Sequence, residues 1–292
     1  MNKSMADLLA RAPVITDGAW GTELQARGLP PGEIPDVWNL TNPDKVIAVA
    51  RAYVEAGSQV ILTNTFGANR FRLAGHSLEH KLAEINRTGV QLSREAAGSS
   101  ALVFASIGPT GRLLMDGSVT EDDLRAAFSE QAEAIASASP DAIVIETMSD
   151  LGEATIAIKT AKATGLPVVA CVVFDSGANK DRTMMGVTPE QAAAELSEAG
   201  ADIIGANCGT GIERYVQVCH RLRTATNRPL WMKPNAGLPR LVAGRPVYDT
   251  TPEQFAGVAP ALVDAGAAFV GGCCGTNPDF IRALRARLKG GT

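Results

Sequence analysis

Three thiols carry the most distinctive chemistry in this sequence. Cys273 and Cys274 are adjacent, flanked by Gly271, Gly272 and Gly275, and follow the apolar stretch 267–270. Cys208 closes a second apolar run, Ile203-Ile204-Gly205-Ala206-Asn207-Cys208-Gly209. Both runs have the length and composition of buried strands, so all three thiols fall just past strand ends. Neighbouring residues on an extended strand point to opposite faces, so the Cys273-Cys274 pair must bend to act together. Its flanking glycines permit that bend. Three thiolates about 2.3 Å from a zinc ion leave one tetrahedral position open, as catalytic zinc sites do. Such a centre generates hydroxide poorly. It holds a soft sulfur ligand well and keeps that sulfur deprotonated and nucleophilic. The expected chemistry is therefore alkyl transfer to a thiol. Cys208, Cys273 and Cys274 are the expected ligands and catalytic centre, with one Zn²⁺ per chain.

Composition agrees with a thiolate site. The chain has five cysteines, an odd number that makes a poor disulfide framework, so a reducing, cytoplasmic setting is expected. Cys171, within a strand, and Cys219, on a helix, read as small buried hydrophobes. None of the three histidines directly follows an apolar strand, so thiolate must dominate any metal site. A net charge of −4 gives no reason to expect nucleic acid or an anionic membrane as partner. No apolar run approaches the roughly 20 residues that span a bilayer, and the N-terminus lacks the pattern of a secretion signal. A chain 46% hydrophobic and 20% charged reads as an ordinary globular protein.

The elements that position these thiols alternate regularly. Strands are predicted at 14–16, 60–64, 101–107, 142–145, 168–174, 203–208, 230–233 and 268–272. Helices are predicted at 43–56, 78–97, 121–137, 151–163, 212–224 and 279–288, with two more opened by Thr188-Pro189 and Thr251-Pro252. Thr120 is the expected N-cap of the helix at 121–137. Stretches 110–119 and 237–248 read as loops. This alternation indicates an α/β protein, a single-domain (β/α)8 TIM barrel spanning residues 1–292. An open doubly wound sheet would show a GxGxxG turn after the first strand. Here that turn reads Asp17-Gly18-Ala19-Trp20-Gly21-Thr22.

In such barrels the active site lies at the C-terminal strand ends. Asp17, Asn64, Glu146, Asn207 and Asn235 then share one mouth with the thiols. Asp17 and Glu146 can bind an ammonium group. The backbone amides of residues 18–22, Gly18 and Thr22 among them, can receive a carboxylate. Together these describe an amino acid with a thiol side chain. The three asparagines serve equally as loop caps or as substrate contacts, and Asp17 reads also as a turn residue. Two other functions stay open on the residues alone. Lys233, at the end of the seventh strand, would suit a Schiff-base aldolase. The thiols would also suit a zinc or redox sensor.

Beyond those residues, the sequence resembles the homocysteine S-methyltransferase family along nearly its whole length. It is most similar to the homocysteine-binding barrel of cobalamin-dependent methionine synthase, and similar also to betaine–homocysteine methyltransferase. The resemblance rests on Asp17-Gly18-Ala19-Trp20-Gly21-Thr22, Thr63-Asn64-Thr65-Phe66-Gly67-Ala68 and Ile107-Gly108-Pro109-Thr110-Gly111. It continues through Glu146-Thr147-Met148, Gly205-Ala206-Asn207-Cys208-Gly209, Pro234-Asn235-Ala236-Gly237-Leu238-Pro239 and Gly271-Gly272-Cys273-Cys274-Gly275-Thr276. It implies zinc on Cys208, Cys273 and Cys274, the homocysteine amino group on Asp17 and Glu146, and its carboxylate on the amides after Asp17. It implies methyl transfer to homocysteine, giving methionine, with another small thiol or a selenol as alternative acceptor. Ala19-Trp20 departs from the Gly-Gly or Ala-Met of relatives. No folate, cobalamin or reactivation domain follows in this sequence. The donor is therefore expected to be an onium compound such as S-methylmethionine or betaine, or a methylcorrinoid carried by a separate protein.

Overall fold

The computed structural model describes residues 3–242 and 245–290. Its strands are β1 (Val14–Ile15), β2 (Val60–Leu62), β3 (Leu102–Ile107), β4 (Ala142–Met148) and β5 (Val168–Val172). They continue as β6 (Ile203–Gly211), β7 (Leu230–Asn235), β8 (Arg240–Val242), β9 (Arg245–Val247) and β10 (Ala267–Val270). Eight of these form one sheet in the order β1-β10-β7-β6-β5-β4-β3-β2. All its pairings are parallel. A parallel bridge from Thr16 to Val60 joins the two edges, and the Gln59 N–H donates to the Ile15 carbonyl at 2.7 Å. The sheet therefore closes, and the expected (β/α)8 barrel forms as one domain.

Alternation along the strands decides what faces the barrel interior. Phe104, Val144, Trp231 and Phe269 point inward with Val14, Val60, Leu62 and Ile203. The Phe104 and Phe269 rings lie 5.8 and 5.1 Å from the Trp231 ring and fill the centre. Two residues further along their strands, Ser106, Glu146 and Lys233 occupy the next inward layer and line the mouth. The period of two thus places three polar side chains directly above an apolar plug. Residues of opposite parity, such as Ile143 and Ile145, pack outward against the helices.

Local chemistry fixes the surrounding helices. Thr120, Thr188 and Thr251 each cap a helix through a reciprocal capping box, with Asp123, Gln191 and Gln254. Gly57 ends helix Pro43–Ala56 at φ 104°. Four features differ from the sequence reading. Helix Lys3–Leu9 closes the bottom of the barrel, burying Met5 against the interior cluster. The expected loop at 237–248 contains the antiparallel pair β8–β9. Strands β4 and β6 run on to Met148 and Gly211, so Glu146 and Cys208 lie within strands rather than past them. Strand β10 stops at Val270, which leaves the glycine–cysteine segment free to bend.

Candidate active site

A cavity of about 690 Å³ opens at the C-terminal mouth, within the range of small-molecule sites. Cys208, Cys273 and Cys274 border it together. Backbone geometry turns them inward. Cys208 and Gly209 sit at φ +60° and +69°, two successive left-handed residues that swing the β6 chain over the mouth. The Tyr215 hydroxyl donates to the Cys208 carbonyl at 2.6 Å and holds that turn. The cysteine pair is pinned to β7 on both sides. The Cys273 N–H donates to the Pro234 carbonyl at 2.8 Å, and the Ala236 N–H donates to the Cys274 carbonyl at 2.9 Å.

The Cys208 sulfur lies 2.9 Å from that of Cys273 and 3.7 Å from that of Cys274. All three fall within 4.8 Å of one another, an arrangement able to hold a metal ion. A tetrahedral centre with metal–sulfur bonds of about 2.3 Å has sulfur–sulfur edges of about 3.8 Å. The Cys208–Cys274 separation already matches, and the Cys208–Cys273 separation must open by about 0.9 Å. Hydrogen bonds from Cys208 and Cys273 pull the Cys274 thiol down to about 3. Donating those bonds, with burial added, pushes Cys208 well above the ordinary thiol range. A soft divalent cation held by Cys208, Cys273 and Cys274 would favour the thiolate form of all three.

Glu146 borders the same cavity, 8% exposed, and Asn207 Nδ2 bridges it to the Cys273 sulfur, 4.0 Å away. Ser106 donates to one carboxylate oxygen, and Asn207 Nδ2 donates to the other at 3.1 Å. Burial lifts its pKa to about 7, against the opposing pull of Lys233. Asn207 is fully buried and acts from behind. It exchanges two hydrogen bonds of 2.7 Å with Thr147 and holds that residue at φ +63°.

Asp17 departs from the expected arrangement. It is 0% exposed and lies beneath the cavity wall. One oxygen accepts from Trp20 Nε1 at 2.8 Å and from the Leu62 N–H at 2.7 Å; the other pairs with Lys233. A direct grip on a substrate ammonium is therefore not available to it as placed. Lys233, 2% exposed, does border the cavity. Burial pulls its pKa down, but Asp17 and Glu146 outweigh burial and hold the ammonium above the ordinary lysine value. A Schiff-base lysine needs a free amine, so this environment opposes the aldolase reading.

The other expected residues divide between wall and support. Gly18 and Thr22 border the cavity. A Cβ on Gly18 would fall 2.8 Å from both Thr276 Oγ1 and the Tyr53 hydroxyl, so only glycine fits. The Thr22 hydroxyl is buried and has no hydrogen-bond partner among the described residues. Asn64 borders the cavity, but its amide donates to the Pro35 carbonyl and Asn39 Oδ1 and so ties the first two loops together. Asn235 donates to the Gly209 carbonyl at 3.0 Å, steadying the turn after Cys208. Cys171 and Cys219 are buried, as expected; Cys171 packs in the barrel interior with Phe104 and Trp231, and Cys219 packs among the outer helices.

Sequence reasoning missed Ser106, Trp20, Asp36 and Arg72, which all border the cavity. Ser106 was findable, because it shares the inward parity of Phe104. Asp36 and Arg72 sit on a short 3-10 turn, Pro35–Val37, and a short helix, Arg70–Ala74, whose approach to the mouth no local pattern announces.

A model of the homocysteine S-methyltransferase family matches residues 14–288. The chain is 30% identical to the methionine synthase of Mycobacterium leprae over 303 residues. That match covers 97% of this chain and 25% of that protein, so the chain spans about a quarter of the relative's length. The Mycobacterium tuberculosis methionine synthase matches equally, at 30% identity. Among solved structures, the metallated form of the homocysteine methyltransferase MmuM from Escherichia coli aligns with a TM-score of 0.80 and 26% identity. That alignment covers 98% of this chain and 99% of the other. The oxidized form of MmuM gives the same score and identity. No helix among the described residues is long and apolar enough to cross a membrane. The family match over nearly the whole barrel, with the thiol triad and Glu146 at one mouth, establishes that this chain belongs to the homocysteine S-methyltransferase family of enzymes.

Proposed function

We propose that this enzyme methylates the thiol of homocysteine to give methionine, using a zinc ion held by Cys208, Cys273 and Cys274. The observation that carries the reading is the convergence of three sulfurs on one cavity beside a buried carboxylate. When bound, zinc would keep the acceptor sulfur deprotonated and nucleophilic at neutral pH. The barrel's own residues do the positioning. Glu146, aimed by Ser106 and Asn207, receives the acceptor's ammonium. Gly18 and the free Thr22 hydroxyl border the other end of the amino acid. Asp17 acts indirectly, by fixing Lys233. The acceptor sulfur then displaces the donor's leaving group at the methyl carbon. Another small thiol or selenol is the alternative acceptor.

For the donor, two readings have separate support. Trp20 and Phe66 border the cavity, and aromatic side chains there suit a small onium compound such as S-methylmethionine or a betaine. Met115, Met184, Met185, Leu238 and Leu241 are exposed, and all lie on segments that follow the C-terminal ends of β3, β5 and β7. Such an apolar rim favours a macromolecular donor, a separate protein carrying a methylcorrinoid. An assay of homocysteine methylation against both classes decides between them. Zinc analysis of wild type and Cys273→Ser tests the ligand set. About one zinc per chain is expected in wild type and markedly less in the variant; equal contents would reject the assignment. Zinc binding without turnover on any donor would leave the sensor reading standing instead.

A further inference from the structure

We propose that Arg72 selects the methyl donor, by binding a carboxylate at the donor's end remote from the transferred methyl. This rests on the onium reading of the donor above and narrows that class to zwitterions, which carry an onium centre and a carboxylate together.

Arg72 borders the cavity from helix Arg70–Ala74, on the segment that follows β2. Its neighbour on that helix, Arg70, is committed to Glu130 at 2.6 Å. Lys233, also on the cavity, is committed to Asp17. Among the described residues, Arg72 makes no ion pair within 4.0 Å. Asp36 feels its charge, but one oxygen of that buried carboxyl already accepts from the Gly67 N–H. The Arg72 side chain is nevertheless placed. Its N–H donates to Asn69 Oδ1 at 3.1 Å, and its guanidinium carbon lies 5.6 Å from the centre of the Phe66 ring. That ring rests against Gly108, where a Cβ would fall 2.4 Å from it. A guanidinium held over a fixed ring keeps its planar fork of donors for a carboxylate. Arg72 is exposed, so a ligand entering the mouth can reach it.

Strand order says which end of the donor Arg72 meets. In the closed ring β1-β10-β7-β6-β5-β4-β3-β2, β2 lies four strands from β6 in either direction. Arg72 follows β2 and Cys208 lies on β6, so they come from opposite sides of the barrel to one cavity. In-line displacement suits that separation. The acceptor thiolate, at the cysteines, gives an electron pair to the methyl carbon. The carbon–onium bond breaks behind it, and its electron pair leaves on a neutral sulfide or tertiary amine. The leaving group therefore lies beyond the methyl as seen from the thiols, and the remote end of the donor extends away from them. A simple cation would be repelled by Arg72 there, whereas a carboxylate reverses the sign of the interaction.

Donor pairs that differ in the carboxylate test this, read as methionine formed from homocysteine by zinc-loaded protein. S-methylmethionine is compared with its carboxamide, and glycine betaine with tetramethylammonium. In the pair it accepts, wild type should favour the carboxylate member by about ten- to a hundredfold in kcat/KM. Arg72→Met should lose that preference, its kcat/KM for the carboxylate donor falling toward that for the partner compound. Arg72→Lys should restore part of it, since it keeps the charge without the fork. Comparing the ratio between proteins cancels the donors' intrinsic reactivities and any general loss of active enzyme. A ratio that is the same in wild type and Arg72→Met would overturn the proposal; a purely structural role for Arg72, which lowers both members alike, gives that result. If a methylcorrinoid protein supports turnover and no onium compound does, the onium reading itself fails and this proposal falls with it.

Discussion

Asp36 shows how burial rather than partnership sets the behaviour of single residues at this mouth. Its carboxylate is 2% exposed, and burial lifts its pKa from 3.8 to about 6 although the Gly67 N–H donates to it at 2.8 Å. A carboxyl whose pKa is raised on folding favours the folded state while protonated. That contribution is whole below about pH 4 and is lost as pH rises through about 6. Asp36→Asn should therefore be more stable than wild type at pH 7, by about 1–3 kcal/mol. The difference should vanish below about pH 4. Urea unfolding across that range checks it, and a constant difference would contradict it. Asn207 works differently, through partners. Asn207 Nδ2 also lies 4.0 Å from the Cys273 sulfur, so Asn207→Ala should free Glu146 and Thr147 and weaken homocysteine binding about tenfold; a calorimetric titration reads it, and unchanged affinity would contradict it. The cysteines and Glu146 were legible in the sequence because each breaks the pattern at an apolar strand's end. The Asp17–Lys233 pair was not, since it joins positions 216 residues apart.

At the scale of elements, close strand contacts govern the site. A Cβ on Gly271 would lie 1.9 Å from Thr16 Oγ1 and 2.6 Å from the Asp17 carbonyl. Gly271→Ala must push the Cys273-Cys274 segment away from β1, with a cost of about 2 kcal/mol or more and reduced zinc content. Gly257, within helix Pro252–Asp264, has nothing within 4 Å of the same position. Gly257→Ala should instead stabilise the protein by about 0.5–1 kcal/mol. Thermal unfolding of the pair separates a glycine that the site requires from one it does not. The capped helices were readable because Thr-Pro and Thr-x-x-Asp signals are local. Strand ends were less so. A charge at Glu146 reads as a strand stop, yet β4 continues to Met148 because the mouth buries that carboxylate. The β8–β9 pair lay hidden in a loop-like stretch, because its three-residue strands are too short to show hydrophobic alternation.

At the scale of the molecule, the barrel brings Cys208 on β6 against a cysteine pair 65 residues later. The eight-fold strand–helix alternation made that closure foreseeable; the apolar rim around the mouth appeared only once the loops were placed. Leu241, 75% exposed on that rim, separates the two donor classes. Leu241→Glu should slow methyl transfer from a methylcorrinoid protein while leaving a small onium donor unaffected, and parallel rate measurements would tell them apart. The barrel gathers three thiols at one mouth, where a bound zinc would keep one position open for an acceptor sulfur. X-ray absorption at the zinc edge, before and after adding homocysteine, tests it most directly. The first shell should hold three sulfurs at about 2.3 Å and gain a fourth when homocysteine binds. A shell that lacks three sulfurs, or that homocysteine leaves unchanged, would contradict it.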